Sequence, residues 1–350
     1  MPRLVALDLP GGPGFVDELR RIWDAGDAAF PVDQRLPAAA KRDVYAAMRV
    51  GEPVEPGDAL VVATSGSTGA PKGVVLTHAA VAASAAATSA RIGVAPDDHW
   101  LACLPLNHVG GLSVVTRALH AGTPLTVLPG FDAAAVMASG ATLVSLVATA
   151  LQRIDPAAFR VIVLGGARPP AERPPNTVAT YGMTETGSGV VYDRRPLDGV
   201  EVRIVQGEIQ LRGPMLLRCY RDGHDPTTAD GWLATGDLGT FDGGLLTVHG
   251  RADDLIITGG ENVWPEPVEA VLRRVPGVAD VAVAGTPDPE WGQVVTAHVV
   301  GEVTLDALRA AVKEQLPAFC APRRLVLHRT LPRTSLGKLQ RHSLDTDPGG

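Results

Sequence analysis

The sequence predicts an α/β protein: a large N-terminal domain built on parallel sheets flanked by helices, a small β subdomain, and a small α+β domain at the C-terminus. Three observations lead there. From Leu60 to about Gly182, short apolar runs alternate with helix-forming segments, as in a parallel sheet covered on both faces. After Gly182 come short alternating runs separated by glycine turns. Beyond Arg251-Ala252-Asp253-Asp254, helix and strand patterns resume in a compact module.

Taken in order, residues 1–57 offer one helix, over 16–25, then a proline-rich approach ending Glu52-Pro53-Val54-Glu55-Pro56-Gly57. Leu60-Val61-Val62-Ala63 reads as a buried strand, and the alanine-rich segment from about Thr77 as a helix. Runs at 100–104, 124–128, 141–147, 160–164 and 177–180 read as strands, with helices over 112–121 and 132–138 between them. The β subdomain takes strands over 200–205, 208–212 and 245–249. The last module takes a helix over 266–274, strands over 278–284 and 294–300, a helix over 305–315 and a strand over 324–328. The domains divide as 1–251 and 252–350.

With 350 residues, 45% hydrophobic and 20% charged, the chain has material for two domains with substantial cores. A net charge of −7 with no long basic block argues against a nucleic-acid surface. Cys103, Cys219 and Cys320 are too few and too scattered for a disulfide framework or a cysteine-rich zinc site, which fits a reducing cytoplasm. Asp8 and several Gly and Pro residues interrupt the N-terminus where a signal peptide needs an apolar run, and no apolar stretch predicts a membrane span.

The chemistry centres on Thr64-Ser65-Gly66-Ser67-Thr68-Gly69-Ala70-Pro71-Lys72-Gly73, placed between the buried strand and the alanine-rich helix. Glycines let a loop curl its N–H groups toward an anion, and hydroxyls and a lysine add donors. It is not a Walker loop, because Pro71 and Gly73 flank Lys72 where that template needs glycine and a hydroxyl residue. Tyr181-Gly182-Met183-Thr184-Glu185-Thr186 offers a ring to stack on a base, a hydroxyl to donate to phosphate and a carboxylate to hold Mg²⁺. Three other features are weaker alone. A lone histidine such as His108 is more often structural, Thr235-Gly236-Asp237 is a common turn, and most lysines, Lys338 included, are solvated surface charges. Gly165-Gly166-Ala167 ends a strand in small residues that admit a flat ring, or merely make a turn.

In this order the motifs resemble the adenylate-forming superfamily of acyl-CoA synthetases, peptide-synthetase adenylation domains and luciferases, from Thr64 to Lys338. The resemblance implies that Thr64, Ser65, Gly66, Ser67, Thr68, Gly69 and Lys72 cradle ATP phosphates. It implies that Gly165, Gly166, Ala167, Tyr181, Gly182 and Met183 border adenine, that Thr184 meets the α-phosphate, and that Glu185 holds Mg²⁺. Asp237 and Arg251 would contact ribose or phosphate, Asp253 would be the hinge of a mobile C-terminal domain, and Gly259 and Gly260 would approach the pantetheine arm. Within Pro332-Arg333-Thr334-Ser335-Leu336-Gly337-Lys338, Lys338 would be the catalytic lysine. ATP, Mg²⁺ and coenzyme A are the implied cofactors and co-substrate. No nucleic-acid or membrane partner is implied.

The chain also resembles the o-succinylbenzoate–CoA ligases through Ser145–Gln152 and the segment from Thr186 to Val200. That implies an acid-binding pocket near His108, Ser145, Thr149 and Ser188, with His108 the first choice. Other aryl- or fatty-acyl-CoA ligases, an enzyme loading a carrier protein and a non-catalytic binding descendant stay open as alternatives. Usual superfamily members carry a longer segment before the phosphate loop, so the first subdomain here is expected to be shortened, which leaves a homodimer undecided.

Overall fold

The computed structural model describes residues 1–65, 71–166, 169–170, 172–333 and 339–344. Strands β1 (Leu4–Leu7) and β2 (Ala28–Pro31) pair in parallel, joined by α1 (Pro13–Asp24), whose Phe15, Val16, Leu19 and Ile22 recur at helical spacing and are buried. Helix α2 (Ala38–Met48) follows. Strand β3 (Asp58–Ser65) pairs in parallel with β2, and β4 (Pro71–Thr77) returns antiparallel to β3 with Ser65 opposite Pro71.

Two expectations are corrected here. Residues 1–57 hold two strands and a second helix, not one helix; α2 buries only Met48, so its sequence carries no apolar stripe to betray it. The hydroxyl-rich loop joins two strands of a hairpin, not a strand to a helix. Val74, Val75 and Leu76 are all buried, which makes the residues after Lys72 a core strand. Helix α3 (His78–Ile92) starts only after β4, where Thr77 Oγ1 accepts from the Ala80 N–H at 3.1 Å and caps it.

The parallel sheet expected from the alternating pattern is present. Strands β5 (Trp100–Ala102), β6 (Leu125–Val127), β7 (Leu143–Leu146), β8 (Val161–Leu164) and β9 (Thr177–Gly182) are mutually parallel. Helices α4 (Val109–Ala121), α5 (Ala133–Ala138) and α6 (Ala148–Leu151) occupy the crossovers. Strands β10 (Gly189–Tyr192) and β11 (Arg195–Pro196) add an antiparallel edge, so the order is β11-β10-β9-β8-β7-β5-β6. All four residues of β7 are buried, the continuous apolar reading of a strand covered on both faces.

Next, β12 (Glu201–Val205), β13 (Glu208–Arg212), β15 (Leu233–Asp242) and β16 (Leu245–Arg251) form a four-stranded sheet, while the short β14 (Cys219–Tyr220) between them adds to the edge of β4. In the last stretch, β17 (Ile256–Thr258), β18 (Glu261–Val263), β19 (Val278–Asp288), β20 (Gly292–Gly301) and β21 (Arg324–Leu327) form one sheet. Helices α7 (Pro265–Leu272) and α8 (Leu305–Gln315) send Val268, Leu272, Leu308 and Val312 into a core with Val281, Val283 and Ala297.

The chain divides into two compact units. One comprises Met1–Arg203, Gln210–Ala234 and Phe241–Leu246; the other comprises Ile204–Ile209, Thr235–Thr240 and Thr247–Gly350.

Candidate active site

In the first unit, the loops carrying the site leave the carboxyl ends of adjacent parallel strands, where ligands bind open α/β sheets. His108 follows β5, Ser145 lies in β7 with Thr149 just beyond it, Gly165 and Gly166 follow β8, and Tyr181 and Gly182 end β9. His108 caps α4 through its backbone carbonyl, which accepts from the N–H groups of Gly111 and Leu112. Its imidazole pKa is lowered by burial; the Asp33 carboxylate opposes that shift and the Arg35 charge adds to it.

The turn after β9 needs glycine at its entrance. A Cβ on Gly182 would lie 2.2 Å from the Ser188 carbonyl oxygen, so only hydrogen there lets β9 close against β10. Inside the turn, the Met183 N–H donates to Thr186 Oγ1 at 2.9 Å, and that hydroxyl reaches the Ser188 carbonyl at 2.6 Å. The 3₁₀ turn Thr184–Thr186 carries Thr184 and Glu185.

Tyr220, which no sequence motif singled out, touches two of the expected site residues. Its hydroxyl donates to Glu185 Oε1 at 2.9 Å, and Lys72 Nζ stands 5.1 Å from its ring centroid. It sits on β14 opposite Val74, which brings it diagonally beside Lys72 of β4. The Leu217 N–H donates to the Glu185 carbonyl at 2.7 Å and fixes the turn to the same edge. Tyr220 thus joins the hairpin lysine to the turn carboxylate. Glu185 Oε2 accepts no hydrogen bond among the described residues, so this carboxylate, oriented by a hydroxyl, suits a hard cation such as Mg²⁺.

The expected acid pocket divides. Thr149 is exposed, whereas Ser145 and Ser188 are buried. Ser188 Oγ lies 2.9 Å from Ser84 Oγ of α3, beside a small cavity lined by Ser84, Leu112, Ser113, Thr116, Leu76 and Gly187. Ser145 Oγ accepts from Arg117 at 3.4 Å, and Arg117 also donates to the Tyr192 hydroxyl at 3.3 Å. Arg117 was also missed. It is 2% exposed, its Nε has no partner among the described residues, and it forms no ion pair among them. This buried guanidinium has two long hydroxyl contacts and stands 5.7 Å from the Trp100 ring centroid, with no carboxylate partner among the described residues, so its charge is under-satisfied. A charged residue inside the apolar 112–118 run was the available signal.

In the second unit, Asp237 is buried on β15 and its Oδ1 meets Arg251 Nη1 at 3.4 Å; the same Nη1 donates to the Thr235 carbonyl at 2.8 Å. Asp253 lies in the 3₁₀ turn Ala252–Asp254. Gly259 and Gly260 form the two-residue connection of the β17–β18 hairpin, with φ of 59° and 84° that glycine supplies without strain. Thr64 and Ser65 end β3. Gly66, Ser67, Thr68, Gly69, Ala167 and Lys338 lie outside the described residues.

Residues 19–221 match the family described as AMP-binding enzyme, and residues 267–338 match its C-terminal domain. The chain is 41% identical over 379 aligned positions to a probable 2-succinylbenzoate–CoA ligase of Mycobacterium tuberculosis (strain CDC 1551 / Oshkosh), covering 97% of each. Among solved structures it resembles o-succinylbenzoate CoA synthetase from Bacillus subtilis in complex with the acyl-adenylate intermediate, with a TM-score of 0.88 at 28% identity over 98% of this chain and 88% of that one. The same enzyme in complex with ATP and magnesium ion gives a TM-score of 0.87 at 27% identity, covering 98% and 89%.

Proposed function

Because this chain belongs to the AMP-binding enzyme family, we propose that it is an ATP-dependent carboxylic acid–CoA ligase acting through an acyl-adenylate, with o-succinylbenzoate as its acid. One observation supports that acid over a simple fatty or aryl acid. Buried Arg117, beside Ser145, lacks a carboxylate partner among the described residues, and o-succinylbenzoate brings a second carboxylate that is not activated.

The reaction runs in two steps. A carboxylate oxygen of the acid attacks the α-phosphorus of ATP, the bond to the β-phosphate oxygen breaks, and pyrophosphate leaves. The CoA sulfur, its proton lost, then attacks the acyl carbon and AMP leaves. The loop between β3 and β4 with Lys72 would hold the β- and γ-phosphates, Thr184 the α-phosphate, and Asp237 with Arg251 the ribose. Bound at Glu185, Mg²⁺ would neutralise charge on the phosphates. His108 and Ser188 would line the acid pocket. The domains would divide at 252, with residues 252–350 turning about Asp253 between the steps to withdraw Lys338 and admit CoA through Gly259 and Gly260. Three free, scattered cysteines suit a cytoplasmic enzyme, and among the described residues no helix is long and apolar enough to cross a membrane.

Acid-dependent exchange of labelled pyrophosphate into ATP tests this reading, with o-succinylbenzoate beside benzoate and medium-chain fatty acids. Exchange strongest with o-succinylbenzoate is expected. Exchange strongest with a monocarboxylate would remove the assigned acid, and none with any acid would remove the ligase.

Two substitutions probe the parts. Tyr220→Phe should raise the Mg²⁺ concentration needed for half-maximal exchange by about tenfold, as loss of a residue orienting a metal ligand does; an unchanged Mg²⁺ dependence would leave Tyr220 a packing residue. Asp253→Pro should leave exchange intact and slow thioester formation by roughly tenfold or more, since proline fixes the torsion that must change. An unimpaired second step would move the hinge elsewhere.

A further inference from the structure

Strand β14, which carries Tyr220, meets β4 only through Cys219 and Tyr220, opposite Val75 and Val74, and a pairing that short fixes little by itself. Arginines hold it on both flanks. On one side, Arg218 donates from Nε and Nη2 to the two oxygens of buried Asp58 at the start of β3, each at 2.8 Å. On the other, Arg221 reaches the C-terminus of α2. Its Nε donates to the Met48 carbonyl and its Nη1 to the Pro53 carbonyl, each at 3.0 Å. Its Nη2 donates to the carbonyls of Arg49 at 3.2 Å and Glu52 at 3.5 Å. The last carbonyls of a helix lack donors within it, and a cation there also meets the negative end of the helix dipole. The junction is tight. The Arg221 N–H donates to the Gly73 carbonyl at 2.7 Å, and a Cβ on Gly73 would lie 2.7 Å from Met48 Sδ and 2.9 Å from Arg221 Cβ. Helix α2 buries only Met48, and Lys41 and Tyr45 tie it to Asp8 after β1, at 2.7 and 2.8 Å.

From this arrangement we propose that Arg221 is a positioning residue for Tyr220 and, through it, for the Glu185 carboxylate. Capping α2 from the position next to Tyr220, it pins the short edge strand so that the tyrosine hydroxyl stays 2.9 Å from Glu185 Oε1. The proposal rests on the ligase reading, in which Glu185 holds Mg²⁺, and names a determinant of that metal's affinity. A ligand carboxylate left without its orienting partner must be ordered when the metal binds, and that cost weakens binding.

The test measures binding of Mn²⁺, as a stand-in for Mg²⁺, by electron paramagnetic resonance in the presence of an ATP analogue with a methylene between its α- and β-phosphates. It uses the full chain, Arg221→Met, Arg221→Lys, Tyr220→Phe, Asp8→Asn and the double variant of Arg221→Met with Tyr220→Phe. The Mg²⁺ dependence of pyrophosphate exchange and thermal unfolding are followed on the same proteins. Arg221→Met should raise the Mn²⁺ Kd about three- to tenfold and the Mg²⁺ requirement of exchange in step, a loss recovered at saturating Mg²⁺. Arg221→Lys should regain part of the affinity. The double variant should bind Mn²⁺ no worse than Tyr220→Phe, because the two residues act through one hydrogen bond. Asp8→Asn loosens α2 away from Arg221 and should leave the Mn²⁺ Kd within about twofold at any thermal midpoint, which separates placement from folding. Unchanged Mn²⁺ affinity in Arg221→Met or in Tyr220→Phe, additive losses in the double variant, or an equal loss in Asp8→Asn would overturn the proposal alone. Absence of exchange with every acid in the unaltered chain would overturn the ligase reading and this proposal with it.

Discussion

Replacing Lys338 with alanine is expected to weaken adenylation by about 2–4 kcal/mol, roughly 30- to 1,000-fold, the range seen when one preorganised donor to a developing charge is lost. Thioester formation from supplied acyl-adenylate should continue at its former rate. The size follows from electrostatics. A carboxylate approaching the α-phosphate sets two anions about 4 Å apart, which costs about 4 kcal/mol at the effective dielectric of a partly exposed site. A single ammonium reaching both offsets much of that repulsion, and no other part of the reaction needs a side-chain nucleophile. Equal loss of both half-reactions in a folded variant would take this role from Lys338.

Arg117→Gln should separate activity from stability. If the guanidinium receives the second carboxylate of the acid, its removal should lower kcat/KM for o-succinylbenzoate by about 2–5 kcal/mol, as when one partner of a buried charge pair is removed. An analogue lacking that carboxylate should lose far less. The thermal midpoint should hold or rise, because Arg117 is 2% exposed without a carboxylate and a neutral side chain there relieves the desolvation it imposes on the fold. Unchanged discrimination between the acid and its analogue, with a fall in stability, would make Arg117 a structural member of the α4–β7 packing.

Both residues show how far the sequence could be read. Lys338 and Glu185 could be singled out from the sequence because each sits in a motif whose spacing repeats the family's. Arg117 and Tyr220 belong to no motif: one is a charge in an apolar helix, the other half of a two-residue strand. Their placement comes from non-local pairing, β14 beside β4 and α4 beside β7, which period and propensity do not encode. The parallel strands β5 to β9 were legible because strands buried on both faces read as apolar runs. Strand β4 was not, because its start, Pro71-Lys72-Gly73, carries turn residues that mask the apolar Val74-Val75-Leu76 behind them. Ser145 and Thr149 looked equivalent by spacing, yet the end of β7 buries one while α6 leaves the other at the surface.

The hairpin that holds Lys72 also limits how this chain can vary over generations. Along β4 the side chains serve two separate cores: Val74 and Leu76 pack with Leu60 and Val62, while Val75 packs with Val61 and Met48. Strand register repeats every two residues, so shifting β4 by one position would swap those cores and carry Lys72 to the opposite face. Inserting or deleting a single residue between Ser65 and Pro71 risks that slip, whereas exchanging one residue for another does not. Descendants that keep the activity should therefore differ in this loop by substitution at constant length, while the exposed connections elsewhere are free to lengthen.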